Sequence, residues 1–381
     1  MAQESYAGFE QGPIRPPSEA GSLLLRVTRN CPWNRCKFCP VYKGTQFSRR
    51  PVDHVLRDIE AVYRAVQTLT GEAGVVGRPE PARRQGTGEA RGDLCAWQAA
   101  ASWVDNGRRS VFLQDADSLV IGGSDLIDIL SHLTKRFPGV QRVTSYARSS
   151  TVARMESKDL KALRESGLNR LHIGLESGAN EVLRLMHKGT TQKNQIVAGL
   201  KVKQAGMKLS EYYMPGLGGR GFWEANARET AAALNEINPD FIRLRTLAIH
   251  VSAPLYDDYR AGRFDKPNDV EMAREVLLFL ESLRGLSSVV KSDHILNLLP
   301  EVEGALPEDQ GLMISVVEAF LKLSPEEQVV FQVGRRTGMM NGLGDLEDPF
   351  RRGRAEEIIR KHEITSANVD AVVDELMRQF V

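Results

Sequence analysis

The feature that most constrains this chain is an alternation of short apolar strand and amphipathic helix, repeated six times. A strand signal over 22–28 leads through a cysteine-bearing loop to a helix opened by Pro51. In that helix Val55, Ile59, Val62 and Val66 fall at spacings of four, three and four. Strands over 110–114, 141–146, 170–175, 208–214 and 241–247 then alternate with helices over 125–136, 157–166, 180–187 with 192–205, 223–236 and 268–284. Such alternation means a parallel sheet with helices outside it. Six units predict an α/β fold, a partial (βα)6 TIM-like barrel with a mostly helical C-terminal extension. A doubly wound sheet is the structural alternative. In either, ligands bind beyond the C-terminal ends of the strands.

Three regions follow. Residues 1–21, rich in Pro, Gly and polar residues, read as an N-terminal arm. Residues 22–284 read as the partial barrel, interrupted by an insertion or lid over 71–107. Its first part, 71–94, is crowded with Gly, Pro and Arg, and a short helix is expected from Cys95 to about Val104. Residues 285–381 read as a helical substrate or cap region, with Val369, Val372, Val373, Leu376 and Phe380 on one apolar stripe.

Composition narrows the class. With 42% hydrophobic residues over 381 positions, wholesale disorder is excluded. Lys+Arg number 50 and Asp+Glu 49, so the net charge of +1 exerts no global pull toward nucleic acid or anionic lipid. No apolar run approaches the roughly 18 residues that a membrane span needs. The first 21 residues lack the basic-then-apolar order of a signal peptide. A cytoplasmic protein is expected.

The four cysteines are Cys31, Cys36, Cys39 and Cys95, and the first three lie on the first βα loop. A disulfide scaffold does not suit so long a chain without an export signal, and tight clustering argues for a metal. Structural zinc wants four ligands, usually as two separated pairs, and no second Cys or His pair exists. Three thiolates suit three irons of a [4Fe–4S] cluster whose fourth iron stays open. Cys95 could close that corner, but it lies on no motif, and a plain thiol is the simpler reading.

The loop reads Cys31-Pro-Trp-Asn-Arg-Cys36-Lys-Phe-Cys39. The later strand ends read Gln114-Asp115-Ala116-Asp117-Ser118, Ser145-Tyr146-Ala147-Arg148, His172-Ile173-Gly174-Leu175-Glu176-Ser177 and Tyr213-Met214-Pro215-Gly216. In this order, over about 22–255, they resemble the radical SAM superfamily. The commonest family spacing is C-x3-C-x2-C, so this loop carries one extra residue. The resemblance implies a [4Fe–4S] cluster on Cys31, Cys36 and Cys39, and S-adenosylmethionine (SAM) on its open iron. It implies that the backbone of Phe38 lies against the adenine, that the turn of Gln114, Asp115 and Asp117 takes the methionine ammonium on Asp115 or Asp117, and that Ser145 and Arg148 reach ribose and carboxylate. It further implies that Glu176 accepts from ribose hydroxyls and that Met214 lines the adenine side.

The implied activity is reductive cleavage of SAM to a 5′-deoxyadenosyl radical, which abstracts hydrogen from a small-molecule or lipid-like substrate. Arg243 and Arg245, on one strand face by period two, and His294 are candidate substrate contacts; Tyr213 and His294 are candidate catalytic groups. A flavodoxin- or ferredoxin-type electron donor is implied, since no second cluster or flavin motif is visible. No cobalamin segment, auxiliary cluster or basic RNA-binding tail is visible either, which argues against cobalamin-dependent methylation, peptide maturation and tRNA modification, and so against nucleic acid as a partner. The alternatives are radical modification of RNA or a protein side chain, and a non-catalytic cluster- and SAM-binding sensor.

Overall fold

The computed structural model describes residues 4–71 and 88–378. In chain order the elements are β1 (Leu23–Arg26), β2 (Thr28–Arg29), β3 (Ser48–Arg49), α1 (Val52–Thr70), α2 (Gly88–Asp105), β4 (Ser110–Gln114), α3 (Gly123–Arg136), β5 (Arg142–Ala147), α4 (Ser149–Arg154), α5 (Ser157–Glu165), β6 (Leu168–Glu176), α6 (Asn180–Leu185), α7 (Gln192–Gln204) and β7 (Lys208–Tyr213). There follow α8 (Trp223–Ile237), β8 (Phe241–Leu244), α9 (Pro254–Arg260), α10 (Asp269–Ser282), β9 (Val289–Lys291), β10 (Gly304–Ala305), α11 (Gln310–Lys322), α12 (Pro325–Arg336), α13 (Pro349–Lys361) and α14 (Val369–Arg378). The six expected strand–helix units occur in the expected order. The chain divides into two compact units, the first holding residues to 32, 44–173 and 201–208, the second 33–43, 174–200 and everything from 209.

In the first unit β1, β4, β5 and β6 are all parallel, with Leu23 opposite Val111, Ser110 opposite Arg142 and Tyr146 opposite His172. Side chains alternate across such a sheet. One face carries Leu23, Leu25, Val111, Leu113, Val143, Leu171 and Ile173, all buried. The four predicted positions of α1, Val55, Ile59, Val62 and Val66, are buried as well, and α1 packs against β1, α2 and α3. Gly71, in the left-handed region at φ 73°, ends that helix. The opposite face carries Arg26, Phe112, Gln114, Arg142, Tyr146 and His172. Phe112 and Tyr146 meet edge to face with centroids 5.1 Å apart.

The N-terminal arm is anchored on that polar face. Glu19, fully buried, accepts from Ser22 (2.5 Å) and Arg142 (3.0 Å), with a His172 ring nitrogen 3.8 Å away. Burial alone would push its carboxyl up; His172, Ser22 and Arg142 outweigh it and hold it at about 2.

In the second unit β7, β8 and β9 are parallel and β10 is antiparallel to β9. Val329 and Val333 of α12 share a core with Val369, Val373 and Met377 of α14. The predicted C-terminal stripe is thus buried in part, and Phe380 lies outside the described residues. Asp269 and Arg336 form a buried two-pronged ion pair at 2.6 and 3.2 Å.

Two expectations need correction. The stretch 71–94 is partly helical: α2 begins at Gly88, ahead of the expected start at Cys95. Residues 89–94 include good helix formers, and burial of Ala96, Ala100 and Trp103 stabilises the whole helix. The rest of the expected insertion or lid, 72–87, lies outside the described residues. The region after 284 also adds β9 and β10, because the short run Val289–Lys291 pairs with β8. Among the described residues no helix is long and apolar enough to cross a membrane.

Candidate cofactor site

In the first unit the cysteine loop is closed at its base by the antiparallel pair β2–β3. Asn30 follows β2 in the left-handed region (φ 69°) and leads directly to Cys31, which is half-buried. Asp115 is fully buried, and its Oδ2 accepts from Arg26 Nε at 2.8 Å and from the Asn30 amide at 2.9 Å. Gln114 grips the arm, accepting from the Gly12 amide and donating to the Gly12 and Ile14 carbonyls. Asp117 accepts from the Thr151 hydroxyl, while its Oδ1 is buried without a partner. Burial pushes its carboxyl up to about 6 against the pull of Thr151, Arg148 and Arg154. Ser145 is buried and donates to the Tyr146 carbonyl at 2.9 Å; Arg148, half-buried, precedes α4.

In the second unit the loop segment after Trp33 is docked on the chain that follows β6. Lys37 donates its amide to the Met186 carbonyl and accepts from the Leu255 amide. Trp33 Nε1 donates to the His187 carbonyl at 2.7 Å. Gly189 (φ 70°) lies against the Trp33 ring, where a Cβ would stand only 2.3 Å from a ring carbon. Phe38 packs on a core that includes Met186, Met214, Leu217 and Leu255. Cys36 and Cys39 flank it, half-buried.

Glu176 ends β6 in the left-handed region (φ 65°). Its Oε1 accepts from Lys188 Nζ at 3.2 Å, and its Oε2 is buried with no partner. Lys188 Nζ lies 5.5 Å from the Phe38 ring centroid. The side chain of Glu176 folds back over Gly174, where a Cβ would lie 2.2 Å from Oε1. The carbonyl of Glu176 accepts from the amide of Met214, which is itself buried. On β7, Glu211 is buried and neither of its oxygens reaches a hydrogen-bond partner. Burial, and then the charge of Glu176, push its carboxyl well up, against the pull of Lys188 and the Leu175 backbone. Glu211 escaped the sequence reading. A carboxylate in the middle of the apolar strand 208–214 was the available signal.

The remaining candidates lie elsewhere in this unit. Tyr213 is fully buried and donates to Glu275 Oε1 at 2.7 Å, while Asn226 and the Gly216 amide donate to the same carboxylate. Burial pushes Glu275 up to about 7 despite those three donors. Arg243 is buried, ion-paired to Asp293 and 3.2 Å from the Ser210 hydroxyl. Arg245 is exposed, and its amide donates to the Tyr213 carbonyl. His294 is half-buried; burial and then Arg245 push it down to about 4.

The donor chemistry fits the implied groups. The loop offers three half-buried thiols outside any disulfide, ligands that iron–sulfur clusters favour, and Glu176 offers a buried acceptor that awaits a donor. Cys31 belongs to the first unit and Cys36 and Cys39 to the second. Among the described residues no three His, Cys, Asp or Glu side chains already stand as a metal-holding group.

Comparison with known proteins agrees with the strand-end motifs. Residues 96–229 match the family model described as Radical SAM superfamily. Over those residues the chain carries a radical SAM superfamily segment. The match begins after the cysteine loop, so the ligand role of Cys31, Cys36 and Cys39 is not part of it.

Among curated proteins, the chain is similar to a tRNA uridine(34) acetyltransferase of Methanocaldococcus infernus, 27% identical over 127 residues, which cover 33% of this chain and 24% of that one. It is also similar to the 4′-phospho-dehydrooxetanocin synthase of Priestia megaterium, 26% identical over 200 residues, 50% of this chain and 22% of the other. The chain thus spans about a quarter of the length of the curated relatives it matches. A solved cobalamin-dependent SAM radical enzyme, OxsB, aligns over 94% of this chain and 54% of its own, at TM-score 0.46 and 13% identity. Coproporphyrinogen III oxidase of Escherichia coli aligns over 68% and 52%, at TM-score 0.44 and 15% identity. The sequence-based expectation against nucleic acid is corrected to this extent: two of the curated relatives are named for tRNA. Overall charge balance does not register a local RNA-binding surface.

Proposed function

We propose that this chain is a radical SAM enzyme in which Cys31, Cys36 and Cys39 hold three irons of a [4Fe–4S] cluster and leave the fourth for SAM. The observation that carries the reading is Glu176. It stands at a strand C-terminus inside the matched segment, with one carboxylate oxygen buried and partnerless and the other on Lys188. When bound, the cluster and SAM together supply reductive cleavage of the sulfonium and a 5′-deoxyadenosyl radical for hydrogen abstraction.

The chain's own residues bind and orient. Glu176 accepts from the ribose hydroxyls, and Gly174 leaves room for its carboxylate to fold back. Lys188 offsets the charge of Glu176 and braces Phe38, whose backbone faces the adenine. Glu211 lies beside them, its carboxyl pushed well up by burial and then by the charge of Glu176, which disfavours a second anion there. A low-potential flavodoxin- or ferredoxin-type donor supplies the electron, in a reducing compartment such as the cytoplasm.

The substrate reading is a small or lipid-like molecule that yields a hydrogen atom. A second reading is RNA, favoured by the names of the tRNA-directed relatives. Protein reconstituted anaerobically with iron and sulfide, then given SAM and dithionite, should release 5′-deoxyadenosine. An intact cluster with no 5′-deoxyadenosine refutes the enzyme and leaves a sensor. Deuterium transfer into 5′-deoxyadenosine from labelled metabolites, or from labelled tRNA, separates the two substrate classes.

A further inference from the structure

We propose that Glu10 and Asp115 are positioning residues that clamp the base of the cysteine loop and hold Cys31 in place. The purpose of the clamp rests on the cluster reading above; its geometry lies wholly within the first unit.

The loop leaves β2 at Arg29 and returns at β3, with Thr28 opposite Arg49 and Arg29 opposite Ser48. Asn30 adopts the left-handed backbone, which asparagine tolerates better than most non-glycine residues. Three bonds hold it: its amide to Asp115 Oδ2 at 2.9 Å, its side-chain amide to the Gln46 carbonyl at 2.5 Å, and its Oδ1, which accepts from Arg26 at 3.4 Å. Cys31 is the next residue. The resemblance offers Asp115 or Asp117 for the SAM ammonium. Of these, Asp115 has its Oδ2 on this loop base and on Arg26.

Glu10, from the arm, ties both strands of that base. One carboxylate takes the Arg29 guanidinium through three contacts of 2.8, 3.0 and 2.8 Å, Arg26 at 2.7 Å and Arg50 at 3.5 Å. Arg29 lies on β2 and Arg50 directly follows β3. Without the arm, Arg26, Arg29 and Arg50 face two scaffold carboxylates, Asp115 and Asp58. Glu10 supplies the third carboxylate, and Glu4 adds a further partner to Arg29. The arm is itself seated by Gln114, and its Gly12 passes so close that a Cβ there would lie 2.3 Å from Asp115 Oδ1. The arm is therefore built to fit this acid.

The test reads Cys31 directly. Iron-free, full-length protein is alkylated with iodoacetamide, and each cysteine is followed by mass spectrometry, with Cys95 as internal control. Loss of a charge-assisted bond raises local opening about tenfold, so Glu10→Gln and Asp115→Asn should speed Cys31 by about tenfold and leave Cys95 unchanged. Glu10→Asp should recover part of the protection. Asp115 is fully buried and its variant can fail to fold, but Glu10 is 25% exposed, and its variants decide the matter alone. An unchanged Cys31 in Glu10→Gln, or an equal rise at Cys95, overturns the clamp. In reconstituted protein the same variants should lose iron to a chelator several-fold faster. A faster Cys31 with unaltered iron retention keeps the clamp and removes the cluster reading.

Discussion

Gly174→Ala separates binding from folding at the proposed SAM site. The new methyl carbon would stand 2.2 Å from Glu176 Oε1 and 3.1 Å from Lys188 Nζ. Ordinary contact needs about 3.4 Å, so the carboxylate oxygen must move by roughly 1 Å. That movement breaks the 3.2 Å bond to Lys188 and displaces the acceptor proposed for the ribose. A hydrogen bond to a charged group contributes about 1.5–3 kcal/mol, so SAM affinity should fall by roughly tenfold to a hundredfold. The fold should barely respond. The clashing atom ends a flexible side chain, Gly174 has no positive φ, and Ala in a strand interior is favoured over Gly by about 0.5–1 kcal/mol. Equilibrium dialysis of SAM against the reconstituted protein, paired with thermal unfolding, checks both halves. Unchanged SAM affinity, or a melting temperature lowered by many degrees, would refute the reasoning.

Three further outcomes are expected. Glu19 is held at about 2, below its ordinary value, so its stabilisation is complete above pH 4.5 and lost as pH falls toward 2. Glu19→Gln should cost about 3 kcal/mol in urea unfolding at pH 7 and close to nothing near pH 2, and a gap independent of pH would contradict the network. Asp269→Asn strands the Arg336 guanidinium among buried groups and should destabilise by about 3–5 kcal/mol in chemical denaturation; a loss below 1 kcal/mol would show that the pair is not desolvated. Cys36→Ala should abolish both cluster absorbance after reconstitution and 5′-deoxyadenosine release, whereas Cys95→Ala should spare both; retained iron in the first variant removes Cys36 from the ligand set.

The fold was legible because its signals are local. Val55, Ile59, Val62 and Val66 announce α1 by spacing alone, and all four are buried. The runs Ser110–Gln114 and Lys208–Tyr213 show their strands by the same means. The start of α2 was missed because Gly and Arg in 88–94 mask helix formers whose helix is stabilised by packing on α1. β9 was missed because three residues carry no period; pairing with β8 makes them a strand.

The site divides along the same line. The cysteine spacing and the Gly174-Leu175-Glu176 strand end are contiguous in the chain, and the superfamily could be read from such strings. The surroundings of Glu176 bring together residues far apart in sequence. Lys188 reaches back 12 positions, Phe38 comes from the first loop, and Glu211 from the next strand. Likewise Asp115 bonds an amide 85 residues away, and the arm's Gly12 meets Gln114 across 102. The sequence by itself determined the six strand–helix units, their order, and which thiols lie close along the chain, because hydrophobic period and spacing are properties of neighbours. Only the tertiary structure decided which carboxylates are paired, which are buried bare, and which brace a loop, because desolvation and hydrogen bonding depend on what chain topology brings within 3 Å.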